Sequence, residues 1–495
     1  MFRRALLILA VLGALIAVFL ARQSTQEDEL LISGRNNTVL FLTDSHHGLC
    51  NAHLATVSAL IENHPSLEVH YASFSGIASD IERITEIAKA ANPQAKIHWH
   101  QLDGPSLVDE LNAAGGVQKI ISPPGLSGVK AFAEMVPSVV AAWTNEAHLS
   151  LYHQTADLIR KVDPAVVVLD SMLRPAIDAA VNLNRTRAYI TPNALTDLLA
   201  GLPFPVPWKG IPSNIYQQVY FIIKYLTSPV IRHKRSWLQQ HGIPRAVNLF
   251  EMFRQDVPWI AMGYPEAGYP IEVIPDNFHI AGPLVLDVAP AETQSAELAA
   301  WIKQAPTILV NLGSGFRYNE SRAIIMAEAI ARVLDASDAH ILWKMRKVGE
   351  YGDAFREPLS KYVEAGRLRL ESWLDVDPTS LFKTGHIAVS VHHGGANCFY
   401  EAVISGIPSV VLPLWADLYN YAQTAEYLGV GIWPNKTLAP DWDAAGLAEA
   451  FLEVLSGNRS VTMRENAKAL ARRGEQYGGR KLAAELIAEM AAKGR

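Results

Sequence analysis

The sequence predicts an α/β protein of two doubly wound, Rossmann-like parallel sheets facing across a cleft, preceded by an N-terminal membrane-anchor helix. Three observations carry this. The chain has 495 residues, too many for one ordinary core. From residue 38 onward, short β-branched runs alternate with segments of helical period, the pattern of βαβ units. Ahead of them, Arg3 and Arg4 precede an uninterrupted apolar run of 17 residues, Ala5 to Ala21.

That run is long for a signal-peptide core and at the short end of a spanning helix, and Phe19 spoils a small-x-small cleavage pattern. An uncleaved single-pass anchor is the expectation, with the globular part in the lumen of an endomembrane compartment. A cleaved segment and a secreted protein is the alternative. Five N-x-S/T sequons, starting at Asn36, Asn184, Asn319, Asn435 and Asn458, are compatible with either.

The elements follow in order. Thr38–Thr43, Leu67–Ser73, Val166–Asp170 and Ala188–Thr191 read as strands of a first domain, with a helix over Ala52–Asn63. Residues 200–262 fit the βα rhythm poorly: rich in Pro and aromatics, they read as a helical insertion, or else as an acceptor-pocket wall or membrane-resting surface. Thr307–Leu312, His340–Lys344, Arg367–Glu371, His386–Val391 and Ser409–Leu412 read as strands of a second sheet. The expected division is 1–33 anchor and linker, 34–286 first domain, 287–295 linker, 296–464 second domain, and 465–495 helices packing back across both.

Composition is that of a globular protein, 49% hydrophobic and 19% charged, with a net charge of −6 that argues against nucleic acid as a partner. Cys50 and Cys398 can form neither a disulfide framework nor a zinc site by themselves. No G-x-G-x-x-G follows an early strand, which excludes the common dinucleotide-binding oxidoreductase pattern.

The chemistry concentrates in Val391 to Asp417, where a strand enters a His-Gly-Gly turn and a helix follows. His393, Asn397 and Glu401 recur every four residues, so they share one face near the helix start, and Gly394 and Gly395 let a ligand approach the backbone. Free amides at a helix N-terminus with a His and an Asn make an anion site, and Glu401 can accept from sugar hydroxyls. A ribose diphosphate suits that combination.

The segment resembles the signature of the family 1, UDP-sugar-dependent glycosyltransferases, matching at His393, Gly395, Asn397, Glu401, Gly406, Pro408, Pro413 and Asp417. The resemblance implies a GT-B fold, a UDP-sugar donor and no metal cofactor. It implies that His393 and Asn397 contact the diphosphate, Glu401 the ribose and Asp417 the hexose, that Trp373 stacks on the base, and that Ser314 lies on the phosphate side. Two positions depart from it: Cys398 replaces the usual Ser, and Leu418 stands where a sugar-holding Gln is common. Asp375 and Asp377 form an Asp-x-Asp pair, read as a solvated loop before a helix at Pro378 rather than a metal site.

The same resemblance places a general base in the loop after the first strand, Asp44 to His53. His47, ahead of His46, is the candidate, with Asp170 as the carboxylate that orients it. The implied reaction is single-step inverting transfer of a hexose to a hydroxyl of a small lipophilic or lipid acceptor. A membrane-tethered UDP-sugar-binding protein without catalysis is the alternative.

Overall fold

The computed structural model describes residues 29–193, 211–271 and 274–495. The expected anchor at Ala5–Ala21 lies outside them, and among the described residues no helix is long and apolar enough to cross a membrane.

Two all-parallel sheets form. The first comprises β1 (Arg35–Leu42), β2 (Glu68–Ser73), β3 (His98–Gln101), β4 (Pro164–Leu169), β5 (Arg187–Thr191), β6 (Trp259–Met262) and β7 (Phe278–Gly282), in the order β3-β2-β1-β4-β5-β6-β7. The second comprises β8 (Thr307–Val310), β9 (His340–Lys344), β10 (Leu368–Glu371), β11 (Ile387–His392), β12 (Ser409–Val411) and β13 (Gly431–Ile432), in the order β10-β9-β8-β11-β12-β13. Each order reverses once, between β1 and β4 and between β8 and β11. Loops leaving such a pair diverge to opposite faces and open a crevice at the carboxyl ends of the strands.

The central strands are apolar because both their faces are covered: β4 is buried at every residue, as are Val39 to Leu42 of β1. The flanking strands that the sequence reading passed over are short or polar. β3 reads His-Trp-His-Gln and lies at the sheet edge, and β6 and β7 have four and five residues. Residues 211–240 form two helices, Ile211–Thr227 and Pro229–Gln240, so the insertion expected over 200–262 also contains a strand of the main sheet, β6.

The first helix, His47–Asn63, begins five residues before the expected Ala52. His53 sits wholly inside it, with Nε2 3.1 Å from the Ile190 carbonyl oxygen, and burial pushes its pKa down to about 3.

After β7 the chain passes to the second domain through a segment pinned by Gln294, whose side-chain amide donates to the Ala289 carbonyl and to Ser380, both at 2.7 Å. Near the C-terminus it returns. Helix Ser460–Gly474 packs on helix Ala396–Ile404 in the second domain, whereas helix Arg480–Ala491 packs on His47–Asn63, β1, β4 and β7 in the first. Arg480 reaches Glu62 at 2.9 Å, and the Asn36 N–H donates to the Arg495 carbonyl at 2.8 Å. At the crossing, Gly282 has φ +91° and the backbone comes so near that a Cβ would lie 2.7 Å from the Tyr477 Cβ. Only glycine satisfies both conditions.

Ile487 is wholly buried in the first domain's core. Ile487→Ala should therefore cost about 2–5 kcal/mol, by lost burial and the cavity left behind. Denaturant titration checks this, and an unchanged midpoint would remove the terminal helix from that core. His53 gives a pH signature. Its folded value lies below the unfolded one, so the unfolded chain binds the proton first and stability is lost as pH falls below about 6.5. In His53→Leu the slope of stability against pH between 6 and 5 should be shallower by about 1.4 kcal/mol per unit, measured by urea unfolding across that range.

Candidate active site

Between the sheets lies a cleft of about 2300 Å³ lined by the loops from both reversal points. Contacts across it fix the two domains. Tyr419 Oη donates to the Ser122 carbonyl at 2.6 Å, the Ser122 N–H donates to the Leu414 carbonyl at 3.0 Å, and Arg83 pairs with Asp377 at 2.8 Å.

On the second-domain wall, β11 runs through His392, His393, Gly394 and Gly395 into helix Ala396–Ile404. Gly394 has φ +88°, and a Cβ there would stand 2.8 Å from the Leu418 carbonyl oxygen. Gly395 caps the helix without a side-chain bond, which leaves the first-turn amides available to a ligand. The two histidines differ. His392 is buried and its Nδ1 accepts from the Gly394 N–H at 3.0 Å, holding the turn. His393 packs over Gly313 and Gly395, its Nδ1 buried without a partner, and burial pushes its pKa down to about 3. It is a neutral imidazole.

The positive charge comes instead from Lys344, which the sequence reading treated only as the end of a strand. Its side chain lines the cleft at 7% exposure, with Nζ 4.6 Å from the centroid of Trp373. Among the described residues no carboxylate lies within ion-pair distance of it, and burial lowers its pKa to about 8. Arg346 lies 5.3 Å from the same ring and donates to the Ser314 carbonyl at 2.8 Å, which ties the loop after β8 to the Trp373 platform. Trp373 is 43% exposed, as a stacking face must be.

Deeper on the helix, burial first and then the charge of Asp377 raise Glu401 to about 8, so it is largely a protonated carboxyl at neutral pH. Burial pushes the Cys398 thiol up to about 12. Leu418 is buried and lines the cleft together with Asn420 and Gln423 of the same helix. Asp417 receives the Asn193 side-chain amide from the first domain at 3.5 Å. Neither Asn193 nor Gln423 was found from sequence, because contact across domains leaves no local pattern. Asp377 is occupied by Arg83 and Asp375 is exposed. Among the described residues no group of three His, Cys, Asp or Glu is placed to hold a metal.

The first-domain wall is the loop after β1. Asp44 is buried and its carboxylate accepts from the His46 N–H at 3.0 Å and the Leu107 N–H at 2.7 Å. Burial, then the neighbouring Asp170 charge, raises its pKa to about 7. His46 lies over Gly48, and burial first, with the neighbouring His47 ring second, lowers it to about 4. His47 opens the helix and lines the cleft. The Asn397 side-chain amide donates to the His47 and Gly48 carbonyls at 3.2 and 3.3 Å, so the two helix N-termini meet.

Asp170 differs from expectation. Its Oδ1 accepts from the Met172 and Leu173 amides, both at 2.6 Å, and its Oδ2 from the Asp44 amide. Among the described residues no imidazole hydrogen-bonds to it. As the residue after β4 it closes the following turn, and it reaches the histidine loop through backbone. The carboxylate bonded to the backbone of the histidine loop is Asp44, which the sequence reading left unassigned.

A helix N-terminus with open amides, a buried lysine and an exposed indole thus share one wall of the cleft. A histidine-bearing helix start faces it. A model of the family described as UDP-glucoronosyl and UDP-glucosyl transferase matches residues 214–472. Glycosyltransferase sdnJ of Sordaria araneosa is 31% identical over 499 residues, covering 91% of this chain and 97% of that protein. Among solved structures, Os79 from O. sativa in complex with U2F and trichothecene superposes with a TM-score of 0.61 at 17% identity, over 92% of this chain and 99% of that one. The glycotransferase of kitacinnamycin gives 0.60 at 18% identity, over 92% and 99%. At such identities these likenesses show the fold, the GT-B arrangement of two Rossmann-like domains. The family match spans more than half of the chain and the Sordaria relative nine-tenths of it, and the chain accordingly belongs to the UDP-glucoronosyl and UDP-glucosyl transferases, enzymes that transfer a glycosyl group from a UDP-sugar.

Proposed function

We propose that the chain moves a hexose from a UDP-sugar to a hydroxyl of a small lipophilic acceptor in one inverting displacement, with His47 as the base. The observation that carries this is the pair of bonds from Asn397 to the His47 and Gly48 carbonyls. They hold the proposed base within one residue of the helix end that would receive the diphosphate. The acceptor oxygen bonds to the anomeric carbon as the bond to the phosphate oxygen breaks, and its proton passes to the imidazole. Negative charge grows on the departing UDP, where the helix amides, the His393 N–H and Lys344 would stabilise it. Trp373 would carry the base, and Glu401 and Asp417 the ribose and hexose hydroxyls. Asp44 and Asp170 would hold the histidine loop through its amides.

The lipophilic acceptor is supported by the first-domain side of the cleft, where Leu111, Val129, Phe132 and Phe221 contribute apolar surface and the two phenyl rings stack 6.2 Å apart. The structurally similar Os79 from O. sativa was solved in complex with a trichothecene. The apolar run Ala5–Ala21 supports a membrane tether for the enzyme, with the globular part lumenal.

UDP release from a panel of UDP-sugars with lipophilic alcohols and phenols tests the reading. His47→Ala should lower kcat by about 10²- to 10⁴-fold with UDP affinity retained, whereas binding of UDP by wild type without turnover would make the chain a binding protein on this fold. Lys344→Met should weaken UDP binding by roughly 1.5–3 kcal/mol, the range for a hydrogen bond to a charged group, and Lys344→Arg should restore part of it. Affinity unchanged in the methionine variant would remove the lysine from the donor site. Glu401 supplies a proton test. Ribose hydroxyls donate best to a carboxylate, so binding draws its pKa below about 8 and releases a proton near pH 7. UDP affinity should therefore rise between pH 6 and 8. Calorimetry in buffers of different ionisation enthalpy should detect that proton in wild type and lose it in Glu401→Gln.

A further inference from the structure

The net charge of the chain is −6, yet residues 198–250 contain no Asp or Glu and carry six Lys or Arg. The described part of this stretch is the pair of helices Ile211–Thr227 and Pro229–Gln240. Its outer side is apolar: Tyr216, Ile222, Ile223, Leu226 and Val230 are 48%, 40%, 46%, 44% and 56% exposed. Along the first helix, Tyr216, Ile223, Ile222 and Leu226 fall at the three-, four- and seven-residue spacings of a single face. Lys224 is half-buried with its amine 5.5 Å from the Tyr220 ring, and Arg232 is exposed. The adjoining helix Gly125–Val140 adds exposed Leu126, Lys130 and Glu134. An apolar face of this extent, among cations and nearly free of carboxylates, is complementary to an anionic, apolar phase.

Two further facts indicate which phase. The described chain begins beside the segment that follows these helices: Arg254 donates to the Glu29 carbonyl at 3.2 Å, and Arg245 stands 4.0 Å from the Glu29 carboxylate. Two residues on, the Val247 carbonyl accepts from Tyr225 of the first helix at 2.6 Å. The apolar run ending at Ala21 lies eight residues upstream of Glu29, a reach of at most about 28 Å. The same helix also presents Gln217 and Phe221 to the cleft, so its outer face is the back of the acceptor wall.

We propose that the exposed face of helix Ile211–Thr227, with the start of Pro229–Gln240, rests in the headgroup boundary of an anionic phospholipid bilayer. This is a second membrane contact, distinct from the N-terminal run. Tyr216, Ile222, Ile223 and Leu226 enter the acyl boundary while Lys224 and Arg232 reach phosphates. The cleft mouth then stands at the lipid surface, where apolar acceptors concentrate. The contact does not require the acceptor to be a lipid.

The test places an environment-sensitive fluorophore at Ile223→Cys or Leu226→Cys in the full-length chain carrying Cys50→Ala and Cys398→Ser. Val461→Cys, 57% exposed on the second domain, is the control. Vesicles of phosphatidylcholine with phosphatidylserine should shift emission to the blue and raise it several-fold at 223 and 226, but not at 461. Pure phosphatidylcholine, or high salt, should weaken the effect. Water-like emission at 223 and 226 when the chain sediments with the vesicles would overturn the proposal, as would failure to sediment at all. A blue shift without vesicles that grows with protein concentration would assign the face to a second copy and overturn it equally. UDP release with a water-soluble phenol in the absence of lipid reads the transferase separately, so failure of one does not mimic failure of the other.

Discussion

Everything at the cleft depends on one topological constraint: each parallel sheet reverses its winding once, and the loops freed at the two reversals are brought face to face. β1 and β4 release the histidine loop and the Asp170 turn, while β8 and β11 release the Gly313-Ser314 loop and the His-Gly-Gly turn. Neither sheet alone forms a site. Their meeting is fixed by Asn397, whose amide group bonds two backbone carbonyls of the opposite helix start. Backbone acceptors suit this purpose, because a carbonyl cannot rotate away as a side chain can.

The second feature is how many of the buried titratable groups at and behind the cleft walls are held toward their neutral forms. Burial raises Glu401 and Asp44 toward neutral carboxyls and depresses His46, His392 and His393 toward neutral imidazoles. Lys344 is the buried group there whose charge no neighbouring carboxylate offsets among the described residues. A lysine desolvated without a counter-ion is costly in the folded protein and correspondingly strong when an anion arrives. Stability given up at that position is the source of the anion affinity proposed for it.

Much of the architecture was legible, and what was missed has physical causes. The second sheet could be read because its strands are β-branched runs bounded by turns. β3 was passed over because an edge strand need not be apolar, and β6 because four residues inside an aromatic, Pro-rich stretch have no periodicity to detect. That His393, Asn397 and Glu401 share one helix start was legible because a helix start is a local object, its residues spaced at intervals of four. Lys344 and Asn193 were not, since their importance comes from neighbours in space. Asp170 marks a finer limit. Its place at the end of β4 could be read, but whether its oxygens meet a ring or three amides depends on backbone directions in a turn that no residue pattern specifies.

The C-terminal crossing has a consequence for how the chain is made. Helix Arg480–Ala491 completes the core built by β1, β4 and the first helix, and the Arg495 carbonyl accepts from the Asn36 amide at the foot of β1. A ribosome delivers this helix after the rest of both domains. The half synthesised first must wait with an open apolar flank until this helix emerges, while the half synthesised second has by then nearly all of its sheet and helices in hand. Order of synthesis and order of completion are thus inverted, and the nascent first domain is the part of this protein that most needs shielding by a chaperone.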